Sequence, residues 1–193
     1  MIVYRQTDVD APFFWESDRQ PAQRWHDTGE GPVQYASSTP DAAWSEFLRH
    51  AGIDDPADLD GVNRVMWAIE IPGSGSAATS KDAAAQGNAA TPGSAATPAL
   101  STAVMTGGIE HYRECRAEAR RLRANGVTQL VAPAAAVLPG VPSGWRVDDG
   151  LVPAPTRDEL TIVVFGRPGE AVAWVAAVGR PAADIIPRVR YLR

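Results

Sequence analysis

The stretch Val33-Gln34-Tyr35-Ala36-Ser37-Ser38-Thr39-Pro40-Asp41-Ala42-Ala43-Trp44-Ser45-Glu46-Phe47-Leu48 holds a strand running into a helix, and the rest of the chain arranges around that junction. Its first four residues read as a short strand. Thr39-Pro40-Asp41 then reads as a helix start: a hydroxyl to cap free N–H groups, a proline at the first helical position, and an acid in the first turn. Ala43, Trp44, Phe47, Leu48 and Ala51 fall on one face at helical spacing, and Gly52 stops the helix.

Working outward, Ile2-Val3-Tyr4-Arg5 predicts a strand. Between it and Val33 lies an irregular stretch of Trp, Phe and polar residues with the character of a binding loop. Residues 62–71 read as a strand ended by Pro72. Residues 73–100 are mostly Gly, Ser, Ala, Thr and Pro, with Lys81 and Asp82 the only charges. Such a segment cannot bury enough apolar surface to offset its ordering entropy, so a flexible insertion at about 73–100 within one domain spanning 1–193 is expected. After it come an amphipathic helix over 109–124, a strand from Val127 to Val131 ended by Pro133, a strand at Leu160–Phe165 and another at Ala171–Val178. Strands and helices alternate only partly. The expected class is therefore α+β, a mixed, largely antiparallel sheet core with flanking helices, and not a doubly wound parallel sheet.

Composition bounds the function. The chain has 193 residues, 45% hydrophobic and 21% charged, enough for one real core. No run of about eighteen apolar residues suggests a membrane span, the first residues do not resemble a signal peptide, and Cys115 stands alone, so a reducing cytoplasmic setting is expected. The net charge is −5, and residues 1–60 carry four arginines against twelve acids. That balance argues against direct nucleic-acid binding. Phosphate-loop, dinucleotide-fold and nucleophile-elbow motifs are absent, and His26, His50 and His111 give no metal-ligand spacing.

Four residues stand out as a constellation. Arg5 ends a strand, Arg24 precedes Trp25, Tyr35 lies in a strand and Glu46 in the capped helix, at intervals of 19, 11 and 11 residues. Singly, each has an ordinary explanation: a surface arginine, a cation–π pair, a core-edge tyrosine and a solvated helix glutamate. Trp15, Trp25, Trp44 and Trp67 read as core and loop-packing residues, and Cys115 as a small apolar one. Arg113, Arg116, Arg120 and Arg123 line one side of the 109–124 helix, as a solvated face or as a partner contact.

Together, Tyr4-Arg5, Arg24-Trp25, Val33-Gln34-Tyr35-Ala36-Ser37-Ser38 and Ala42-Ala43-Trp44-Ser45-Glu46 with His50 resemble the RES domain family, and a weaker likeness continues through residues 106–140. The resemblance implies a fold similar to ADP-ribosyltransferases and a toxin of a bacterial toxin–antitoxin pair. Such an enzyme degrades NAD by phosphorolysis or hydrolysis of the nicotinamide–ribose bond. It implies NAD as substrate, inorganic phosphate or water as acceptor, no separate cofactor, and an antitoxin partner with a helix-turn-helix region. The residue types suit that chemistry. Arginine forks bind a pyrophosphate through paired charge-assisted hydrogen bonds, the role given to Arg5 and Arg24. A fixed carboxylate stabilises positive charge growing on a ribose ring, the role given to Glu46. Tyr35 offers a ring to stack and a hydroxyl to orient. One departure is visible: the family usually has serine after the proline of its Leu-Val-x-Pro strand end, and here Leu130-Val131-Ala132-Pro133 is followed by Ala134, then by Ala135 and Ala136. If Ala134 occupies a binding position, the missing hydroxyl slows turnover, and a catalytically impaired module that holds NAD or an antitoxin is the alternative.

Overall fold

The computed structural model describes residues 1–14, 17, 19–71, 95–140, 145–156 and 158–192. Nine strands and three α-helices are described: β1 (Ile2–Asp8), β2 (Val33–Ser37), α1 (Pro40–Ala51), β3 (Arg64–Glu70), β4 (Ala95–Ala96), α2 (Thr102–Thr106), α3 (Tyr112–Ala124), β5 (Gln129–Pro133), β6 (Trp145–Val147), β7 (Leu151–Pro153), β8 (Leu160–Phe165) and β9 (Val172–Gly179). Seven form one sheet in the order β4-β5-β8-β2-β1-β3-β9, and β6-β7 form a separate exposed hairpin. All pairs in the large sheet are antiparallel except β4 with β5. The fold is α+β, as the partial alternation of elements predicts.

The α1 boundaries follow the chemistry read from the sequence. Thr39 Oγ1 accepts from the Ala42 N–H at 3.1 Å, Pro40 opens the helix, and Gly52 closes it at φ 68°. The same Thr39 hydroxyl donates to Glu159 Oε2 (2.8 Å), as does Ser38 Oγ (2.9 Å). The start of α1 is thereby tied to the residue that leads into β8. Trp44 and Leu48 bury the apolar face of α1 against Met66 of β3 and Ile185, Ile186 and Val189 of a C-terminal 3-10 turn. Val3, Ala36, Ile69, Ile162 and Val164 fill a core with Phe14 on the other side of the sheet, and Cys115, Ala119 and Leu122 of α3 pack on Leu130 and Val163.

The sequence-based boundaries are corrected in two places. Ala95 and Ala96, inside the expected insertion, pair in parallel with Gln129 and Leu130 and extend the sheet. Residues 73–94 of that insertion, and Trp15, lie outside the described residues. Strand β5 also continues through Pro133 instead of ending before it. Proline is compatible there because its missing N–H is no loss at a strand end. The tryptophan readings hold for the others: Trp25 and Trp44 are buried, and the Trp67 indole donates to Thr7 Oγ1 at 2.9 Å.

Candidate functional site: a cleft where the sheet splits

Strands β1 and β2 meet in a single pair, Tyr4↔Ser37, whereas β1 keeps seven consecutive pairs with β3 and β2 five with β8. Beyond that rung the two central strands diverge. A cavity of about 910 Å³ opens there, lined on one wall by consecutive residues Tyr4 to Asp8 and on the other by Val33, Tyr35, Ala36 and Ser37. Consecutive lining residues on both strands mean that the space lies between them and not on one face of the sheet. Helix α1 closes one side with Glu46, Arg49 and His50, and the loop before β2 closes another with Arg24, Trp25 and His26. The volume is near the top of the range for small-molecule sites.

Four of the five residues singled out from sequence converge on this cleft: Arg5, Arg24, Tyr35 and Glu46. Arg5 is partly buried; its Nη1 donates to Gln34 Oε1 at 2.9 Å, and desolvation pushes its pKa down to about 10. A guanidinium in that condition gains from an anionic ligand. Glu46 has a side chain 27% exposed, with its Oε2 3.7 Å from His50 Nε2. It is thus reachable from the cleft and held only loosely by protein.

Two of the four have more structural employment than the sequence suggests. Arg24 is buried and donates to the Gly107 carbonyl at 2.7 Å and the Val104 carbonyl at 3.4 Å, with its guanidinium 4.6 Å from the Tyr112 ring centre. It answers free carbonyls at the end of α2 and joins the binding loop to α2 and α3. Its pairing partner is therefore Tyr112 and not the adjacent Trp25. The Tyr35 hydroxyl accepts from the Trp25 N–H (3.1 Å) and bonds His26 Nδ1 (3.0 Å), and burial raises its pKa. That hydroxyl fixes the loop wall; the ring is what Tyr35 presents to the cleft. Burial also lowers the pKa of His26.

Ala134 departs from the expectation. It is 4% exposed and packs with Ala42 and Val137, and its N–H donates to the Glu159 carbonyl at 2.7 Å. Its neighbours Pro133 and Ala135 line the cleft, and Ala134 is not among the lining residues. Alternation along the end of β5 aims the side chain of 134 away from the cleft.

Several cleft residues escaped the sequence reading. Arg49 is 6% exposed, donates through Nη1 to the Ala135 carbonyl, and has its pKa lowered by burial. It stands three residues after Glu46, one helical turn on, which is the signal that could have found it. Ser37 and Thr161, opposite each other on β2 and β8, add hydroxyls at the cleft wall. In the arginine row of α3, Arg113 and Arg120 are exposed, as the solvated-face reading expects, and three of the four also reach the binding loop. Arg116 Nε donates to the Gln23 carbonyl (2.8 Å), and Arg120 and Arg123 pair with Glu30 (3.0 and 3.5 Å), so these three hold the binding loop.

The comparisons with known proteins agree with this architecture. The family model described as RES domain matches residues 2–147. The chain belongs to the RES domain family. A chain of the M. tuberculosis MbcT-MbcA toxin–antitoxin complex superposes with a TM-score of 0.54 at 13% identity, covering 96% of this chain and 86% of that one, a likeness of fold. No curated protein matches the sequence of this RES protein. Among its described residues no helix is long and apolar enough to cross a membrane, and no cluster of His, Cys, Asp and Glu is arranged to hold a metal ion.

Proposed function

We propose that the β1–β2 cleft binds NAD and cleaves its nicotinamide–ribose bond, with inorganic phosphate or water as acceptor. The observation that carries this reading is the convergence of Arg5, Arg49 and Glu46 on one cleft between diverging strands. Arg5 and Arg49 supply buried positive charge for the pyrophosphate, and Arg24 positions the wall between them and α3. The Tyr35 ring offers a flat surface against a planar group of the substrate. In the reaction the bond from ribose C1′ to the nicotinamide nitrogen breaks, and its electron pair neutralises the pyridinium. An oxygen of phosphate or water then bonds C1′, and an attacking water gives up one proton to solvent. The leaving group is already cationic, so no strong acid is required. The Glu46 carboxylate stabilises the positive charge that builds on the ribose ring.

On this reading the protein is the toxin of a toxin–antitoxin pair, acts in the cytoplasm, and is held inactive by an antitoxin with a helix-turn-helix region. The antitoxin inference is supported by the structural relative, itself part of a toxin–antitoxin complex. One observation favours the second reading, a module that binds NAD without useful turnover: alanines occupy 134, 135 and 136, so the β5 end brings no hydroxyl to the cleft. Incubation of the purified protein with NAD, with and without phosphate, separates the readings. Phosphate-dependent nicotinamide release identifies a phosphorylase and phosphate-independent release a hydrolase. Binding without release supports the module, and neither binding nor release overturns the NAD assignment.

A further inference from the structure

Tyr112 opens α3 and lines the β1–β2 cleft, half-buried. Two guanidinium groups hold its ring: the central carbon of Arg24 lies 4.6 Å and that of Arg116 5.8 Å from the ring centre. Cation–π contacts of this kind fix a ring in place and leave its hydroxyl uncommitted. The Tyr112 hydroxyl has no hydrogen-bond partner among the described residues, and it is not one of the unpaired polar atoms sealed in the interior. Tyr35 differs, since its hydroxyl already serves Trp25 and His26. The α3 side of the cleft thus offers a free donor, whereas alanines at 134, 135 and 136 bring none from the β5 end.

The surroundings decide what that donor meets. The Tyr112 hydroxyl is close enough to act electrostatically on the Arg49 guanidinium and on the Tyr35 hydroxyl, which places it in the part of the cleft between α1 and β2. The arginines around it give their described hydrogen bonds to main-chain carbonyls: Arg24 to Val104 and Gly107, Arg49 to Ala135, and Arg116 to Gln23. Carboxylates answer them only in part. Glu46 acts on Arg49, Asp27 stands 3.8 Å from Arg116, and Arg24 has no ion pair among the described residues. A guanidinium bonded to neutral carbonyls keeps its full charge, so this wall of the cleft favours an anion.

We propose that the Tyr112 hydroxyl donates a hydrogen bond to the diphosphate of the substrate, on the side served by Arg49, which makes Tyr112 a binding residue of the cleft. The inference rests on the reading of the cleft as an NAD site, and it adds a contact that the arginines alone do not provide. Ionised phosphate oxygens only accept, and a phenol O–H is an uncharged donor that adds no further positive charge among the guanidinium groups. Arg24 and Arg116 then act on the substrate through the ring they hold in place.

Tyr112→Phe isolates the hydroxyl. It keeps the ring beside Arg24 and Arg116 and leaves no described protein group without a partner, so the melting temperature should stay close to that of the wild type. Calorimetric titration uses NAD and ADP, which carries a diphosphate but no nicotinamide–ribose bond. Both ligands are expected to bind the variant about 10- to 150-fold more weakly, the range for a hydrogen bond to a charged group. Tyr112→Ala removes the ring as well and should lower the melting temperature, because Arg24 and Arg116 lose their contact. Equal affinity of wild type and Tyr112→Phe for NAD overturns the inference and leaves the NAD reading standing. Weaker NAD binding with unchanged ADP binding also overturns it, since the hydroxyl then serves the nicotinamide half. ADP bound and weakened by the substitution, with NAD not bound at all, supports the diphosphate contact and removes the NAD reading. A wild type that binds neither ligand overturns both.

Discussion

Tyr4 and Ser37 form the only rung between β1 and β2, and the cleft begins where that rung ends. A seven-stranded, mostly antiparallel sheet would ordinarily leave no room between its central strands for a ligand. Here β1 is held by β3 along its whole length and β2 by β8, so each strand has backbone partners on its outer side while the two part company. The residues after Tyr4 on β1 and before Ser37 on β2 can then aim into the gap, with α1 and the binding loop closing its ends.

Arg5 is the side chain best placed to sense an anion in that gap. Lysine at this position keeps the positive charge and can still reach Gln34, but it loses the planar fork. Arg5→Lys is expected to leave the melting temperature close to wild type and weaken NAD binding by about 10- to 150-fold, measured by calorimetric titration. Unchanged affinity would remove Arg5 from the binding role.

Tyr35 yields a separable outcome. Tyr35→Phe keeps the ring and deletes the hydroxyl that serves the Trp25 N–H and His26 Nδ1. An unsatisfied buried N–H costs about 1–3 kcal/mol. Denaturant unfolding should show a loss in that range, and steady-state kinetics a higher KM with a smaller change in kcat. A loss confined to kcat would instead place the hydroxyl at the reacting atoms.

The strand and helix that carry the site were legible in the sequence because their signals are local. Thr39, Pro40 and Gly52 mark α1 through capping chemistry that acts within a few residues, and Val33–Ala36 reads as a strand without knowledge of its neighbours. The convergence of Arg5, Arg24, Tyr35 and Glu46 was legible as spacing. Their individual employment was not. Arg24 serves carbonyls 80 and 83 residues away, and nothing local marks Val104 or Gly107 as its partners. Alignment to a family pattern fixes the place of Ala134 in the chain, but its packing with Ala42 and Val137 depends on how the end of β5 pairs with β8, which no local signal gives. The role of the α3 arginines depends on a loop ninety residues earlier and was equally beyond local reading.

The placement of Ala134 has a direct consequence. Ala134→Ser puts a hydroxyl beside Ala42 and Val137 in an apolar cluster, with an expected loss of about 1–3 kcal/mol and no gain in turnover. Ala135→Ser adds the hydroxyl on the cleft wall, and a gain of about fivefold or more in nicotinamide release is expected there. A gain at 134 and none at 135 would reverse the assignment.

Acid should loosen the binding loop through Glu30. Burial pushes its carboxyl up, but the Asp27 N–H and the Arg120 and Arg123 guanidinium groups outweigh that and leave the pKa below 4.5. A carboxyl depressed on folding binds fewer protons in the native state. Its stabilisation is present above the unfolded value and is lost as pH falls through the folded one. Glu30→Gln should be less stable than wild type by about 1 kcal/mol at neutral pH, with the difference vanishing in acid below about 4.5. Thermal melts across pH 3–7 check this, and a gap that persists at pH 3 would point to packing instead of charge.

The most direct test of the central claim compares nicotinamide release from NAD by the wild type and by Glu46→Gln, with NAD binding measured on both. Glu46 is partly exposed and paired only weakly with His50, so the variant should fold normally and bind NAD. The expected result is release by the wild type and a loss of about a hundredfold or more in the variant, the size associated with removing one charge-stabilising group. Equal release by both proteins would contradict the assignment of the cleft's chemistry to Glu46.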